Sequence, residues 1–174
     1  MRNSTRLAVV GAALAAVSFG SAANAATTAT ATATAEILST LAIVNDSGLD
    51  FGTIAVNAAG TAVVSANGLS DSCTALALVC GGTRAPAGFT ITGASGVGVA
   101  VTLPATASTL TYVGWLGGGA APTMALSSFT SYFPTGTTLV AGATTVNVGG
   151  SLAVAAAQEP GTYTGTFDVS AQYQ

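Results

Sequence analysis

The sequence predicts an all-β protein, a sandwich or small barrel of short strands, and three observations carry that prediction. Ala, Thr, Gly, Val and Ser dominate, while charged residues make up only 5% of the chain, so helix-favouring Lys, Glu and Arg are scarce. Turn signals at Asn67-Gly68, Gly81-Gly82, Gly117-Gly118-Gly119, Gly149-Gly150 and Pro160-Gly161 cut the chain into short runs. Over the last fourteen residues, Tyr163, Gly165, Phe167, Val169, Ala171 and Tyr173 alternate with Thr162, Thr164, Thr166, Asp168, Ser170 and Gln172. A period of two this regular is a strand with one buried and one wet face.

Taken in order, residues 1–25 read as a secretory signal. Arg2 and Arg6 supply a basic start, residues 7–19 a short apolar run, and Ala23-Asn24-Ala25 a small-residue cleavage site. A mature chain beginning at Ala26 keeps 149 of the 174 residues, enough for one cored domain. No later segment is long and apolar enough to be a membrane-spanning helix. Residues 26–36 form an Ala/Thr-rich arm with Ala29, Ala31, Ala33 and Ala35 on one face and Thr on the other, either an extended strand or a disordered or glycosylated linker.

The domain proper is expected over residues 37–174. Ile37, Leu38, Leu41, Ile43 and Val44 lead into a turn at Asn45-Asp46-Ser47-Gly48, and a second strand covers residues 49–56. Further strands are expected at residues 61–65, 75–80, 89–92, 97–103, 110–115, 124–129, 137–140, 144–148, 151–155 and 163–173. Residues 154–158 are the single place where a turn of helix is tolerable.

From Ala26 onward the chain has no Lys or His, and Arg84 stands alone against Glu36, Asp46, Asp50, Asp71, Glu159 and Asp168, a side-chain charge of −5. Such a surface cannot neutralise phosphates, so no nucleic-acid partner is expected, nor is docking on anionic lipid. Cys73 and Cys80 are the only cysteines, and behind a secretory signal they are expected to pair. Closing so short a loop is worth about 2.5 kcal/mol in the loop-entropy account.

No catalytic constellation is evident. A Ser or Cys nucleophile would lack a His base, and the Ser–Lys variant would lack its lysine. Asp46 reads as a turn residue satisfying local backbone. The alternative is a calcium site from Asn45, Asp46 and Asp50, although the spacing is not that of an EF-hand. Arg84, in a Gly-Gly-Thr-Arg-Ala-Pro loop, reads as a solvated or paired surface group. Tyr112, Trp115, Tyr132 and Phe133 read as core, with a sugar-binding cleft as the alternative. No cofactor and no enzymatic activity are expected.

Two resemblances add to this reading. Gly161, fourteenth from the end, and Tyr173, next to last, make the terminal strand resemble that of chaperone–usher pilus subunits. Leu49-Asp50-Phe51-Gly52, with Asn147-Val148-Gly149-Gly150-Ser151-Leu152 and Pro160-Gly161-Thr162-Tyr163, is similar to the signatures of the domain-of-unknown-function 4402 family of small secreted bacterial β-proteins. The pilin resemblance implies an immunoglobulin-like β-sandwich that lacks its last strand and is completed first by a periplasmic chaperone. An arm from the next subunit then replaces the chaperone at an outer-membrane usher. It further implies a groove strand through Gly161, Tyr163, Phe167, Val169, Ala171 and Tyr173, and a donor arm through Ala29, Ala31, Ala33, Ala35 and Ile37. The implied protein is a homo-polymeric fimbrial subunit, exported through the periplasm to the cell surface and serving cell adhesion. The alternative is a self-contained secreted or surface β-domain that binds a glycan or envelope protein, with the Ala/Thr arm as its tether.

Overall fold

The computed structural model describes residues 27–174. Residues 27–36 are exposed and without regular secondary structure, and Ile37–Gln174 form a separate compact unit. The expected signal segment, residues 1–25, lies outside the described residues. The described residues contain no helix, in keeping with a composition rich in small and β-branched side chains.

In chain order the strands are β1 (Ala42–Ser47), β2 (Thr53–Val56), β3 (Gly60–Val64), β4 (Ser72–Cys73), β5 (Leu78–Gly81) and β6 (Ala87–Thr92). They continue as β7 (Val99–Thr102), β8 (Ser108–Tyr112), β9 (Thr123–Tyr132), β10 (Ala143–Val154), β11 (Tyr163–Thr164) and β12 (Ser170–Tyr173). All their pairings are antiparallel. One eight-stranded sheet runs β1-β6-β10-β9-β8-β11, with β3 beside β10 and β4 beside β3. β2–β5 and β7–β12 form two-stranded ribbons.

β10 organises the molecule. Its first half pairs with β6, its second half with β3, and β9 runs along the other edge. Gly149 and Gly150, expected to form a turn between two strands, lie inside this one twelve-residue strand. A Cβ on Gly149 would strike the backbone of Val64, Ser65 and Ala66, so the glycine lets the end of β3 abut β10. β9 accommodates the same corner with a bulge, where Ser128 takes φ 53° between the partners of Gly149 and Ser151.

Val146, Val148, Leu152 and Val154 share one face of β10, and both ribbons cover that face. The β2–β5 ribbon joins a cluster of Phe51, Ala62, Val64, Leu78, Leu126 and Leu152. The β7–β12 ribbon joins a second cluster containing Phe89, Ile91, Val99, Leu139, Val146 and Val148. Each fully buried aliphatic side chain contributes about 2 kcal/mol. The Cys73–Cys80 disulfide ties β4 to β5, so this short loop staples a ribbon to the sheet.

Three further expectations need correction. The Asn45-Asp46-Ser47-Gly48 turn is instead the end of β1: Asp46 bulges out between Asn45 and Ser47, and the Asn45 amide donates to the Ser47 and Gly88 carbonyls. Residues 137–140 make only isolated bridges, Gly98 to Thr138 and Val140 to Ala143, although Leu139 is fully buried. The continuous strand over residues 163–173 is broken into β11 and β12, which pair with β8 and β7 respectively.

A candidate strand-accepting groove

The broken terminal strand keeps its alternation. Tyr163, Phe167, Val169, Ala171 and Tyr173 are half-buried, while Gly161 and the intervening Thr, Asp, Ser and Gln residues are exposed. Phe167 packs on both core clusters, its ring 4.9 Å from that of Phe129 and 6.4 Å edge-on from that of Phe89. Glycine sets the path: a Cβ on Gly165 would meet the Thr109 carbonyl of β8, and one on Gly161 the ring of Tyr112. The Tyr163 hydroxyl accepts from the Gln158 amide and donates to the Glu159 carbonyl, both at 2.7 Å, and so ties down the preceding loop.

A groove runs beside this segment. One wall is residues 161–168; the other is residues 45–56, from the end of β1 through Leu49 and Phe51 to β2. Between them lie two clefts of about 650 and 490 Å³, which share Leu49, Phe51, Leu110 and Tyr163 and so form one channel. The larger is lined by Ile54, Val56, Met124, Leu152 and Val154 beside Gly161. The smaller is lined by Ala87, Phe89, Leu126 and Phe167. The walls are antiparallel, since the larger cleft takes residues 49–56 and 161–163, and the smaller one residues 45–51 and 163–168.

The walls are not bonded to each other along this channel. Among the described residues β1 pairs only with β6, β2 with β5, β11 with β8 and β12 with β7. Each wall therefore keeps one edge without a ladder, and such an edge can bond an added extended chain. Beyond residue 168 the walls converge. The Tyr173 hydroxyl accepts the Ala94 amide hydrogen at 2.7 Å and donates to the Ser39 carbonyl at 2.8 Å, while Leu41 and Tyr173 both close on Gly93. The groove is shut at Tyr173, and at its other end Ala156, Gln158, Glu159 and Pro160 line the larger cleft beside Gly161.

The sequence singled out the terminal segment as one wall and did not single out the other. Leu49 and Phe51, then Ile54 and Val56 after a one-residue slip at Gly52-Thr53, carried a strand signal, but nothing local shows that they lie opposite residues 161–168. Ala29, Ala31, Ala33 and Ala35 are exposed, and Ile37 is 94% exposed. The residues of the calcium alternative are held in local hydrogen bonds. Asp46 accepts from the Thr90 hydroxyl, the Asp50 carboxylate accepts the Gly52 amide hydrogen, and Asn45 spends its amide on backbone carbonyls. Arg84 is half-buried, its guanidinium 3.8 Å from the Cys73 sulfur. Tyr112 packs edge-on to Trp115 and Tyr163, whereas Tyr132 lies at the far end of β9, so the four aromatics form no single cleft. Asp50, Glu159 and Asp168 edge the groove, and no Lys, Arg or His lines either cleft.

A family model described as a domain of unknown function (DUF4402) matches residues 41–173. The chain belongs to the DUF4402 family. The DUF4402 match contains both walls of the groove and ends at the tyrosine that closes it, while the Ala/Thr arm lies outside it. No curated protein and no solved structure matches the chain.

Proposed function

We propose that this DUF4402 protein is a structural subunit of a bacterial surface filament, a fimbria or pilus, assembled by donor-strand complementation. The observation that carries the reading is the unbonded groove between residues 45–56 and residues 161–168, with Leu49, Phe51, Leu110 and Phe167 along it. On this reading the fold is an immunoglobulin-like sandwich short of one strand. An extended segment entering it would gain main-chain bonds from both edges and bury alternate side chains on Leu49, Phe51, Leu110 and Phe167, which is the physics of strand addition.

The donor is the arm of a second copy. Residues 27–36 are exposed, uncharged up to Glu36 and alternate Ala with Thr. Ten extended residues reach about 33 Å, and the wall of residues 161–168 spans about 26 Å, so the arm is long enough. Before polymerisation a periplasmic chaperone covers the groove, and an outer-membrane usher passes the subunit to the surface. The role is structural rather than enzymatic.

Protein sheared from native cells and run in detergent, unheated beside boiled, tests this. A ladder of multimers that collapses only on boiling is expected, and deleting residues 27–36 should remove the ladder while leaving a folded monomer. A single monomer band in both lanes would replace the filament reading with a self-contained binding domain.

A further inference from the structure

Arg84 is the only basic side chain among residues 27–174, and it lies against sulfur. Its guanidinium is 3.8 Å from the Cys73 sulfur, and among the described residues it forms no ion pair with any carboxylate. We propose that the Cys73–Cys80 disulfide is a site of directed thiol–disulfide exchange with a reducing dithiol. The incoming thiolate attacks Cys80, and Cys73 leaves as a thiolate held by Arg84.

Direction comes from charge. A disulfide opens when a thiolate attacks one sulfur and the other departs with the electron pair of the broken bond. The departing sulfur becomes the anion, and a neighbouring guanidinium stabilises it. Attack at Cys80 places that anion on Cys73, beside Arg84; attack at Cys73 would place it on Cys80, away from that contact. The first step therefore joins the incoming sulfur to Cys80 and breaks the bond to Cys73. The second thiolate of the dithiol then attacks the incoming sulfur and releases Cys80. The dithiol ends as a disulfide, two electrons pass to the cysteines, and its two protons end on their sulfurs.

The surroundings suit opening. Both cysteines are half-buried rather than sealed in a core cluster. Leu76, near the middle of the loop they close, has φ 65°, in the left-handed region, and its side chain is 93% exposed, so no burial compensates the strain. The Arg84 loop is held independently of the disulfide, because Asp50 and Ala85 exchange both backbone hydrogen bonds, at 2.9 and 3.0 Å. Arg84 therefore stays in place to hold a thiolate once the bond has opened. Opening releases β4 from β5, and so loosens the ribbon whose Ile54 and Val56 line the larger cleft. The redox state of one bond thereby reaches a wall of the groove.

A brief exposure of the folded, oxidised protein to 2-mercaptoethanol tests this, since an uncharged monothiol stops at the first step. Trapping with iodoacetamide and peptide mapping after pepsin digestion in acid then locate each group. The mercaptoethanol adduct should sit on Cys80 and the alkyl group on Cys73, in roughly fivefold excess or more over the reverse isomer. Arg84→Gln should bring the two isomers to about equal amounts and slow the opening, while Arg84→Lys should keep the preference for Cys80. An adduct mainly on Cys73, or equal amounts of both isomers in the wild type, would overturn the proposal, and this holds even if Arg84→Gln does not fold. An unchanged ratio in a folded Arg84→Gln protein would overturn the role of the guanidinium.

Discussion

Gly149 shows how one hydrogen in place of a methyl group can hold a sheet corner. A Cβ there would meet main-chain atoms of residues 64–66, which cannot rotate away as a side chain could. Gly149→Ala should therefore cost about 2–3 kcal/mol in urea unfolding. Gly118→Ala, with nothing within 4 Å of its Cβ, should stay within about 0.5 kcal/mol. Tyr173→Phe removes a hydroxyl that both accepts from Ala94 and donates to Ser39, at a cost of about 1–2 kcal/mol. Amide exchange at Ala94 should rise in that variant, and an unchanged rate would show that the hydroxyl does not hold the closed end. Tyr173 was legible as a residue of the inward face. Its hydrogen bonds were not, because Ala94 and Ser39 are 79 and 134 residues away in sequence. Gly149 was misread for a related reason: a glycine pair looks the same in a tight turn and at a close approach of two backbones.

Among the elements, the β2–β5 ribbon depends most on outside support, since a two-stranded ribbon is marginal alone. The Cys73–Cys80 bond and the packing of Ile54 and Val56 on the first cluster hold it to the sheet. Cys73→Ser with Cys80→Ser should lower stability by about 2.5 kcal/mol. Amides of Thr53–Val56 should lose exchange protection before those of β10, and simultaneous loss would mean that the bond does not act through the ribbon. The sequence made the pairing of these cysteines legible but not its consequence, since two-residue β4 is too short to leave a periodic signal. The terminal segment teaches a similar lesson. Its alternation came straight from residues 163–173, yet its break over residues 165–169 reflects a change of partner from β8 to β7. Strand periodicity reports which side is buried; it does not report which neighbour is bonded.

At the scale of the molecule, the scarcity of charge sets expectations for any assembly. Residues 27–35 carry no ionisable side chain, and only Asp50, Glu159 and Asp168 edge the groove. Contacts of main chain and small apolar groups are little affected by salt. Raising sodium chloride from about 0.1 to about 1 M shrinks the screening length from roughly 10 to 3 Å but should leave the multimer ladder unchanged. A ladder that dissolved on that titration would point to ion pairs between bodies instead. The all-β class was legible at this scale because composition and turn spacing are global properties. The groove was half legible, because one wall ends the sequence and the other is set more than a hundred residues earlier.

The placement of those walls has a consequence in time. The arm, residues 27–36, precedes the wall of residues 161–173 by about 125 residues, and ribosomes add about 5–20 residues per second. On the strand-exchange reading, a newborn chain owns a donor roughly 6 to 25 seconds before it owns an acceptor. During that interval the arm has no groove of its own to enter, so a molecule that closes on itself must wait for that wall to be made.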